Sequence, residues 1–383
     1  MNNLKGINIR LYPNTSQQIY LAKLFGCQRF VYNSCLDLKI KKYNDSKEIY
    51  GLKELINYFH QNLRPNNEFL KEHNTKVLKC SVINLLDAYK RFFINGTGFP
   101  KFKSKHSKQS VQFPLEAISK DTFKNNKLQL TKQLKNLKFK TSDIYFKYLT
   151  ENKGLIHNIT ISKSTSGKYY ASILIEFTPD IKPVTNKVIG IDLGINSYLT
   201  DSNNQKIENP KWLRKKVKGL KHYQQILSKK TKGSKNYKKV KAKIAKTHEK
   251  IVNQRKNFLH NLSSKIISEN QVICLENLAI KEMMKKHSLA GAIQELSWYE
   301  FKVQLTYNAK WYNRDLILVD RYYPSTKTCS RCKNKQEIGL DERTYVCESC
   351  GLEIDRDYNA SLNILNEGLR ILSRRSDSHN LVL

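Results

Sequence analysis

Apolar positions along this chain change period twice. Residues 4 to 12 alternate as an edge strand does, and Pro13 ends that strand before Thr15, whose partner Gln18 completes a capping-box pattern. A helix is predicted to start there. Leu21, Leu24, Phe25, Val31, Tyr32, Cys35 and Leu38 keep helical spacing, as do Leu78, Val82, Leu85, Leu86, Tyr89 and Phe93. Residues 15 to 95 thus read as a helical bundle with a break around Asn62 to Asn67, where Pro65 sits. From Gly96 the pattern shortens to alternating runs at Val111 to Phe113, Leu128 to Leu130, Leu137 to Phe139, Leu155 to Ile161 and Tyr169 to Phe177. These predict strands of a barrel, the last two forming a hairpin closed by Ser164-Thr-Ser-Gly167. The strand at 4 to 12 is expected to complete the barrel, which makes the bundle an insertion.

Pro179 to Asn186 reads as a linker. Beyond it lie an apolar strand ending at Asp192, a second strand near Tyr198 to Thr200, a turn at Asp201 to Asn204, and a long helical stretch. Residues 211 to 256 are dense in lysine and arginine with Glu249 as the only acid, while Leu213, Val217, Leu220 and Leu227 keep one apolar face. One side is expected to pack and the other, with Lys215 and Lys216, to face something anionic. A second candidate contact is Lys101, Lys103, Lys105 and Lys108 with Phe99 and Phe102 among them, a mixture suited to backbone contact and base stacking, although a solvated loop has the same composition.

Composition sharpens this. Lysine plus arginine number 68 against 33 acids in 383 residues, a net charge of +35, while 39% hydrophobic content suffices for ordinary cores. The charge points to a polyanion partner, with part of the excess attributable to a lysine- and asparagine-rich proteome. The N-terminus has no apolar leader and no run approaches the roughly 18 apolar residues of a membrane span, so the expected location is the bacterial cytosol or nucleoid, with no membrane partner. Of eight cysteines, Cys27, Cys35, Cys80 and Cys274 sit in apolar stretches as small hydrophobes.

Three acids carry the candidate chemistry. Asp192 ends the run Val188-Ile-Gly-Ile-Asp, and Glu276 ends Val272-Ile-Cys-Leu-Glu. A carboxylate closing an apolar strand needs a compensating partner, and two such acids on adjacent strands are what a Mg²⁺ site requires. Asp357 falls in the first turn of a predicted helix with Asp355 as candidate N-cap and Leu362, Leu365, Leu369 and Leu372 as the buried face. Both acids could instead serve only the helix N-terminus. In a two-metal site, one ion activates the attacking water, the other stabilises the leaving 3′ oxygen, and the three carboxylates hold the ions roughly 4 Å apart.

Cys329-x-x-Cys332 and Cys347-x-x-Cys350, fourteen residues apart, have zinc-ribbon spacing. Four thiolates fill a tetrahedron, so this zinc is expected to be structural. Its place between Glu276 and Asp357 makes the ribbon an insertion, and losing zinc should disturb the helix that carries Asp357.

The succession Gly190-Ile-Asp-Leu-Gly194, Leu275-Glu-Asn-Leu278, Pro324-Ser-Thr-Lys-Thr-Cys-Ser-Arg-Cys332, Cys347-Glu-Ser-Cys-Gly351 and Asp355-Arg-Asp-Tyr-Asn-Ala-Ser361 resembles the TnpB (OrfB) proteins of bacterial insertion sequences, compact relatives of type V CRISPR effectors. Arg10-Leu-Tyr-Pro13, Phe30-Val-Tyr-Asn33, Tyr89-Lys-Arg-Phe-Phe93 and Gly98-Phe-Pro-Lys-Phe102 extend the resemblance over nearly the whole chain. It implies an RNA-guided, Mg²⁺-dependent endonuclease that cuts double-stranded DNA beside a short target-adjacent motif. The guide RNA would come from its own element, and one protein would bind one RNA. Asp192, Glu276 and Asp357 would be the catalytic acids, Cys329, Cys332, Cys347 and Cys350 the zinc ligands, and Lys281 to Gly291 a mobile lid. Lys333 stands where a glycine is often found and Ser361 where alanine is; neither is a proposed ligand.

The fold expected is an α+β multidomain chain: a β-barrel wedge (1 to 14 and 96 to 185), an inserted helical recognition bundle (15 to 95), an RNase H-like (RuvC) nuclease domain (186 to 324 and 354 to 372) with an inserted zinc ribbon (325 to 353), and a disordered tail (373 to 383). Two rival functions remain open. The same acids could direct a DNA 3′-hydroxyl in an RNase H-fold transposase, or the chain could be a non-cutting RNA-guided repressor. An intact set of acids points to cutting.

Overall fold

The computed structural model describes residues 3–118, 122–124, 127–150, 154–179, 182–285, 287–339 and 341–380. The chain divides into two compact units, Met1–Thr178 and Pro179–Leu383.

In the first unit, strand β1 (Asn3–Tyr12) leads into helices α1 (Thr15–Ser46), α2 (Leu52–Tyr58), α3 (Glu68–Lys71) and α4 (Thr75–Asn95). The cap of α1 lies one residue earlier than its sequence pattern indicated: the Asn14 side chain accepts from the Gln17 N–H at 2.9 Å, and Gln17 Oε1 accepts from the Asn14 N–H at 3.0 Å. Asparagine caps as well as threonine does, and Pro13 fixes the chain just ahead of it. A π-helical turn at Phe59–Leu63 and the bend that follows interrupt the helices where Pro65 predicted a break. The buried line of α1 passes through Leu21, Leu24, Phe25, Val31 and Cys35, then follows Leu36 and Lys39, whereas the expected Leu38 stays half-exposed. On α4, Leu78, Val82, Leu85 and Tyr89 are buried, but Phe93, also expected inside, is exposed and stacks on Tyr89.

After α4 come β2 (Gln109–Pro114), β3 (Phe123–Lys124), β4 (Lys127–Leu128), β5 (Leu137–Lys140), helix α5 (Asp143–Thr150), β6 (Gly154–Lys163) and β7 (Tyr169–Phe177). They form one antiparallel sheet in the order β2-β6-β7-β1-β5-β4-β3, so β1 pairs with β7 and β5 while α1 to α4 leave the sheet between β1 and β2. Ile7, Ile9 and Leu11 of β1 share the buried face with Ile159, Ile161, Ala171, Ile173 and Ile175, as period-two alternation requires. Among the described residues no pairing joins the two edge strands, β2 and β3. Helix α5 had no sequence expectation, and β4 is shorter than the run at 128 to 130.

In the second unit, β8 (Val188–Leu193), β9 (Ser197–Asp201), β10 (Lys206–Glu208), β11 (Val272–Glu276) and β12 (Asp315–Val319) make a sheet ordered β10-β9-β8-β11-β12. Strands β8, β11 and β12 run parallel, and β9 is antiparallel to β8. The long crossover from β8 to β11 contains α6 (Trp212–Ser228) and α7 (Lys235–Glu269). The next one contains α8 (Ile280–Met283), α9 (His287–Leu296) and α10 (Trp298–Tyr312). Leu259, Ile266 and Ile267 of α7 with Phe301 and Leu305 of α10 cover the face made by Ile189, Ile191, Ile273 and Leu275. Finally β13 (Thr344–Val346), β14 (Glu353–Asp355) and α11 (Arg356–Asn380) close the chain. Helix α11 covers the opposite sheet face, with Ile364, Leu365 and Leu369 against Val272, Cys274 and Ile317. It continues through most of the segment expected to be a disordered tail: the helix that packs this face does not end at Ser373, and residues 381 to 383 lie outside those described. No described helix is long and apolar enough to cross a membrane.

Candidate active site and cysteine cluster

Alternation along two strands decides where the acids point. Ile189 and Ile191 of β8, with Ile273 and Leu275 of β11, face α7 and α10. Val188, Gly190 and Asp192 therefore share the other face with Val272, Cys274 and Glu276. The parallel register pairs Val272 with Val188 and Leu275 with Ile191; carried one residue further, it sets Glu276 beside Asp192. Both acids sit where the apolar runs emerge from the core.

Helix α11 brings the third acid to the same face, and two glycines allow the approach. A Cβ on Gly190 would lie 2.3 Å from the Ser361 carbonyl oxygen and 2.7 Å from Leu365 Cβ, and one on Gly368 would lie 2.2 Å from Cys274 Sγ. The backbone of α11 thus packs directly on the backbone of β8 at Gly190 and on the Cys274 side chain of β11 at Gly368, and the first turn of α11 projects over the strand ends. Asp355 caps that turn, accepting from the N–H groups of Asp357 at 3.1 Å and Tyr358 at 3.0 Å. Its second oxygen takes the Lys206 ammonium at 2.6 Å. With that capping role filled, Asp357 faces the other two acids. Arg356 donates to Asp357 Oδ1 through Nε and Nη2, both at 3.3 Å.

The electrostatics of the cluster are those of crowded carboxylates. Burial, and then the charges of Glu276 and Asp357, push Asp192 up to about 8. Burial alone pushes Glu276 up to about 7. Asp355 behaves oppositely: although burial opposes it, the Lys206 ammonium and two backbone N–H groups hold it below the usual carboxylate range. The three converging acids thus carry more negative charge than their surroundings compensate, and hard divalent cations with oxygen ligands fit this donor set. Their oxygens are not drawn together as tightly as the cysteine sulfurs described next.

Among the described residues, Cys329, Cys332, Cys347 and Cys350 are a group whose ligand atoms all lie within 4.8 Å of one another. Cys329 and Cys350 sulfurs are 3.7 Å apart and those of Cys332 and Cys347 3.5 Å. The two knuckles have matching backbones. The Lys333 N–H donates to Cys329 O at 3.1 Å and the Gly351 N–H to Cys347 O at 2.9 Å, with both residues in the left-handed region at φ 65° and 66°. Lys333 therefore occupies a conformation that glycine adopts without strain. The Asn334 backbone N–H, with the neighbouring sulfurs, holds the Cys332 thiol down to about 6, whereas Cys350, despite the Leu352 N–H, is pushed up to about 12 by burial and the same sulfurs, so the crowded sulfurs do not all ionise together without a cation.

Two residues that sequence reasoning missed tie this ribbon to α11. Asn359 is fully buried, accepts from the Ser330 N–H at 2.9 Å and donates to the Thr328 carbonyl at 2.8 Å. Asn363, also fully buried, donates to Ser325 O at 2.9 Å and Thr328 O at 2.5 Å. The deepest line on α11 is thus Asn359, Ala360, Ser361, Asn363 and Ile364, while the expected Leu362, Leu365 and Leu369 flank it half-buried. Leucine spacing hid this face because its innermost positions are polar residues bonded to loop carbonyls; their signal was asparagine at i and i+4 in an otherwise apolar helix.

The remaining candidates are placed differently from one another. Lys101, Phe102 and Lys105 are exposed, whereas Lys103 turns inward, its ammonium over the Tyr32 ring at 3.6 Å. Lys103 thus differs in placement from Lys101 and Lys105. Lys215 and Lys216 line a cleft of about 490 Å³ between α6 and α7 together with Lys246 and Lys250. The expected lid, 281 to 291, overlaps α8 and α9, and residue 286 lies outside those described.

Known proteins are similar to this chain. The family model described as "Probable transposase" (OrfB_IS605) matches residues 172–287, the Cas12f1-like TNB domain model matches 298–364, and a model described as a helix-turn-helix domain matches 1–48, whose described residues include β1 and helix α1. A "Putative RNA-guided DNA endonuclease" of Streptomyces pristinaespiralis is 33% identical over 95% of this chain and 89% of its own length. "Putative RNA-guided DNA endonuclease InsQ" of Escherichia coli is 26% identical over 97% of this chain and 94% of its own. In fold, the chain resembles the protein of a Cas12f1-sgRNA-target DNA complex, with a TM-score of 0.59 at 14% identity, covering 95% of this chain and 99% of that one. With its acids at the strand ends, its cysteine ribbon ahead of α11 and a relative this similar along almost its entire length, the chain belongs to the TnpB (OrfB) family of transposon-associated RNA-guided nucleases.

Proposed function

We propose that this protein is an RNA-guided DNA endonuclease in which Asp192, Glu276 and Asp357 hold two Mg²⁺ ions. The observation that carries the reading is the convergence of these acids: two end adjacent parallel strands and point to one sheet face, and the third lies on the helix packed against that face. The sheet order, with three parallel strands and an antiparallel hairpin on the β8 side, supports an RNase H-like (RuvC) assignment for the second unit. The seven-stranded sheet of the first unit would serve as the wedge barrel and α1 to α4 as the recognition bundle.

When bound, the two ions would supply an acidified water for attack on the scissile phosphodiester and neutralise charge on the leaving 3′ oxygen. The chain's own residues prepare for this. Asp192 and Glu276 are fixed by sheet register, Asp355 holds the helix end, and the position of Asp357 follows from the cap. Arg356, paired to Asp357, neutralises part of the cluster's charge and would exchange that contact as the cations bind. The cysteine cluster would hold a structural Zn²⁺, since four sulfurs complete a tetrahedron. Guide RNA and target duplex are the proposed partners, consistent with the +35 charge, and the bacterial nucleoid is the proposed place of action.

The test is expression with the native downstream DNA, sequencing of the co-purifying RNA, and incubation of that complex with Mg²⁺ and a matched plasmid library. A discrete RNA with guide-dependent cuts that vanish in Asp192→Ala supports the proposal. Guide-dependent binding without cuts would favour a repressor, and strand-transfer products without a specific RNA would favour a transposase.

A further inference from the structure

A polar pocket of about 380 Å³ opens in the first unit between α1, α4 and the segment entering β2. Its size is within the range of small-ligand sites. Arg29, Arg91, Lys103 and Lys108 line it and, among the described residues, no acidic side chain does. Some exposed cations of this unit do have a carboxylate partner, as Lys23 has in Glu72 at 3.2 Å and Lys41 in Asp37 at 2.8 Å. Like charges gathered in a concave site repel one another unless an anion enters.

The pocket is built into the fold. Asn33 clamps the backbone of Lys103, accepting from its N–H at 2.8 Å and donating to its carbonyl at 2.9 Å, much as a strand neighbour would. That clamp turns the Lys103 side chain inward over the Tyr32 ring. Arg29 is oriented by a hydrogen bond from Nη1 to Gln109 Oε1, and Gln109 in turn donates to Ser107 O at 2.7 Å. Burial depresses the Lys103 ammonium, with no carboxylate among the causes. A lysine desolvated in this way is maintained at a cost that a bound anion would offset. The other lining groups include Asn84, Gln112 and Thr160, neutral donors and acceptors suited to a ligand that is polar beyond its charge.

We infer that this pocket seats a phosphodiester group of bound nucleic acid, gripped by Arg29, Arg91, Lys103 and Lys108, and that it registers one point of the backbone on the first unit. The owner of the phosphate, guide RNA or target DNA, rests on the functional reading above. The pocket's affinity for phosphate does not.

The experiment uses the full-length protein, Lys103→Met, Arg29→Gln and, as a charge-matched control remote from the pocket, Lys23→Gln. Inorganic phosphate is titrated at constant ionic strength and followed by thermal shift. Saturable stabilisation is expected in the parent and in Lys23→Gln, with affinity about tenfold weaker in each pocket variant, the loss appropriate to one charge-assisted contact. Salt titrations of guide RNA and of target duplex follow. The log-log slope should fall by about one in the arm that owns the phosphate and stay unchanged in the other. If all four proteins respond alike to phosphate, or Lys23→Gln loses as much as Lys103→Met, the pocket is not a phosphate site. Should Lys103→Met fail to fold, Arg29→Gln carries the same test. Cleavage is not read at any step, so failure of the nuclease proposal and failure of this one are separable.

Discussion

The carboxylate cluster and the cysteine cluster are built on opposite plans. Cys329 to Cys350 lie within one short stretch, each pair held by its own turn, and the sulfurs converge without help from the sheet. Asp192, Glu276 and Asp357 come from three distant stretches and meet only because β8, β11 and α11 pack on one another. A local site is complete once its loop folds, whereas a non-local site inherits every displacement of the elements carrying it. Asn359 and Asn363 connect the two, since their amides grip the loop carbonyls ahead of Cys329.

The hardest test of that contrast removes one member of each cluster. Asp357→Ala should leave the melting temperature nearly unchanged, because Asp355 caps the helix, yet lower guide-dependent cleavage about a thousandfold or more. If cleavage survives there and fails in Asp355→Ala, the third ligand is Asp355. Cys347→Ser should do the reverse to structure. Structural zinc contributes on the order of 10 kcal/mol to small ribbons, so residues 325 to 355 should become protease-sensitive and zinc should be lost.

Asn359→Ala examines the link itself. Stranding the Ser330 N–H, while Asn363 still donates to the Thr328 carbonyl, should cost about 1–3 kcal/mol in a denaturant melt. Zinc content should remain stoichiometric while Mg²⁺ affinity, read by calorimetry, falls. If Mg²⁺ affinity is unchanged, the ribbon and the acids are independent.

Asp192→Asn probes the cost of a carboxylate that is buried and then crowded by Glu276 and Asp357. In metal-free protein the folded state keeps a proton on Asp192 up to about 8, while the unfolded chain releases it near the ordinary aspartate value of 3.8. Stability is therefore lost as pH rises from about 4 to about 8. The amide that replaces this carboxyl cannot ionise, so the variant's stability in chelator should draw ahead of the parent's across that window, by roughly 0.5–2 kcal/mol at the top, the usual gain from relieving a functional site. A gap that does not widen with pH in denaturant melts would show that Asp192 is solvated. The smallest effect is expected at Lys333→Gly, which relieves a left-handed lysine and should stabilise the zinc-bound ribbon by up to about 1 kcal/mol in the same kind of melt.

Legibility in the sequence followed the same division. The cysteine spacing announced its cluster directly, and the apolar runs ending at Asp192 and Glu276 announced two strand-end acids, because both signals are written in adjacent residues. Asn359 and Asn363 were not legible, since their partners are carbonyls more than thirty residues away and leucine spacing drew attention to the flanks of the helix. Lys103 read as one of four lysines in a basic and aromatic segment, and nothing in that segment indicates that Asn33, seventy residues earlier, clamps its backbone while its side chain turns inward. Phe93 kept helical period yet stayed outside, as periodicity marks a face without saying how far the partner helix extends along it.

The sequence by itself determined the periodic elements, the charge that calls for a polyanion, the four metal-competent thiols and the identity of the acids, all properties carried by neighbouring residues and by composition. Tertiary structure alone decided that Asp192 and Glu276 share a face with α11, that Gly190 and Gly368 are the points of closest approach between that helix and the strands, and that four cations surround one pocket. Those facts depend on strand register and close approach between segments far apart in the chain, and free energy of that kind exists only once the segments are packed.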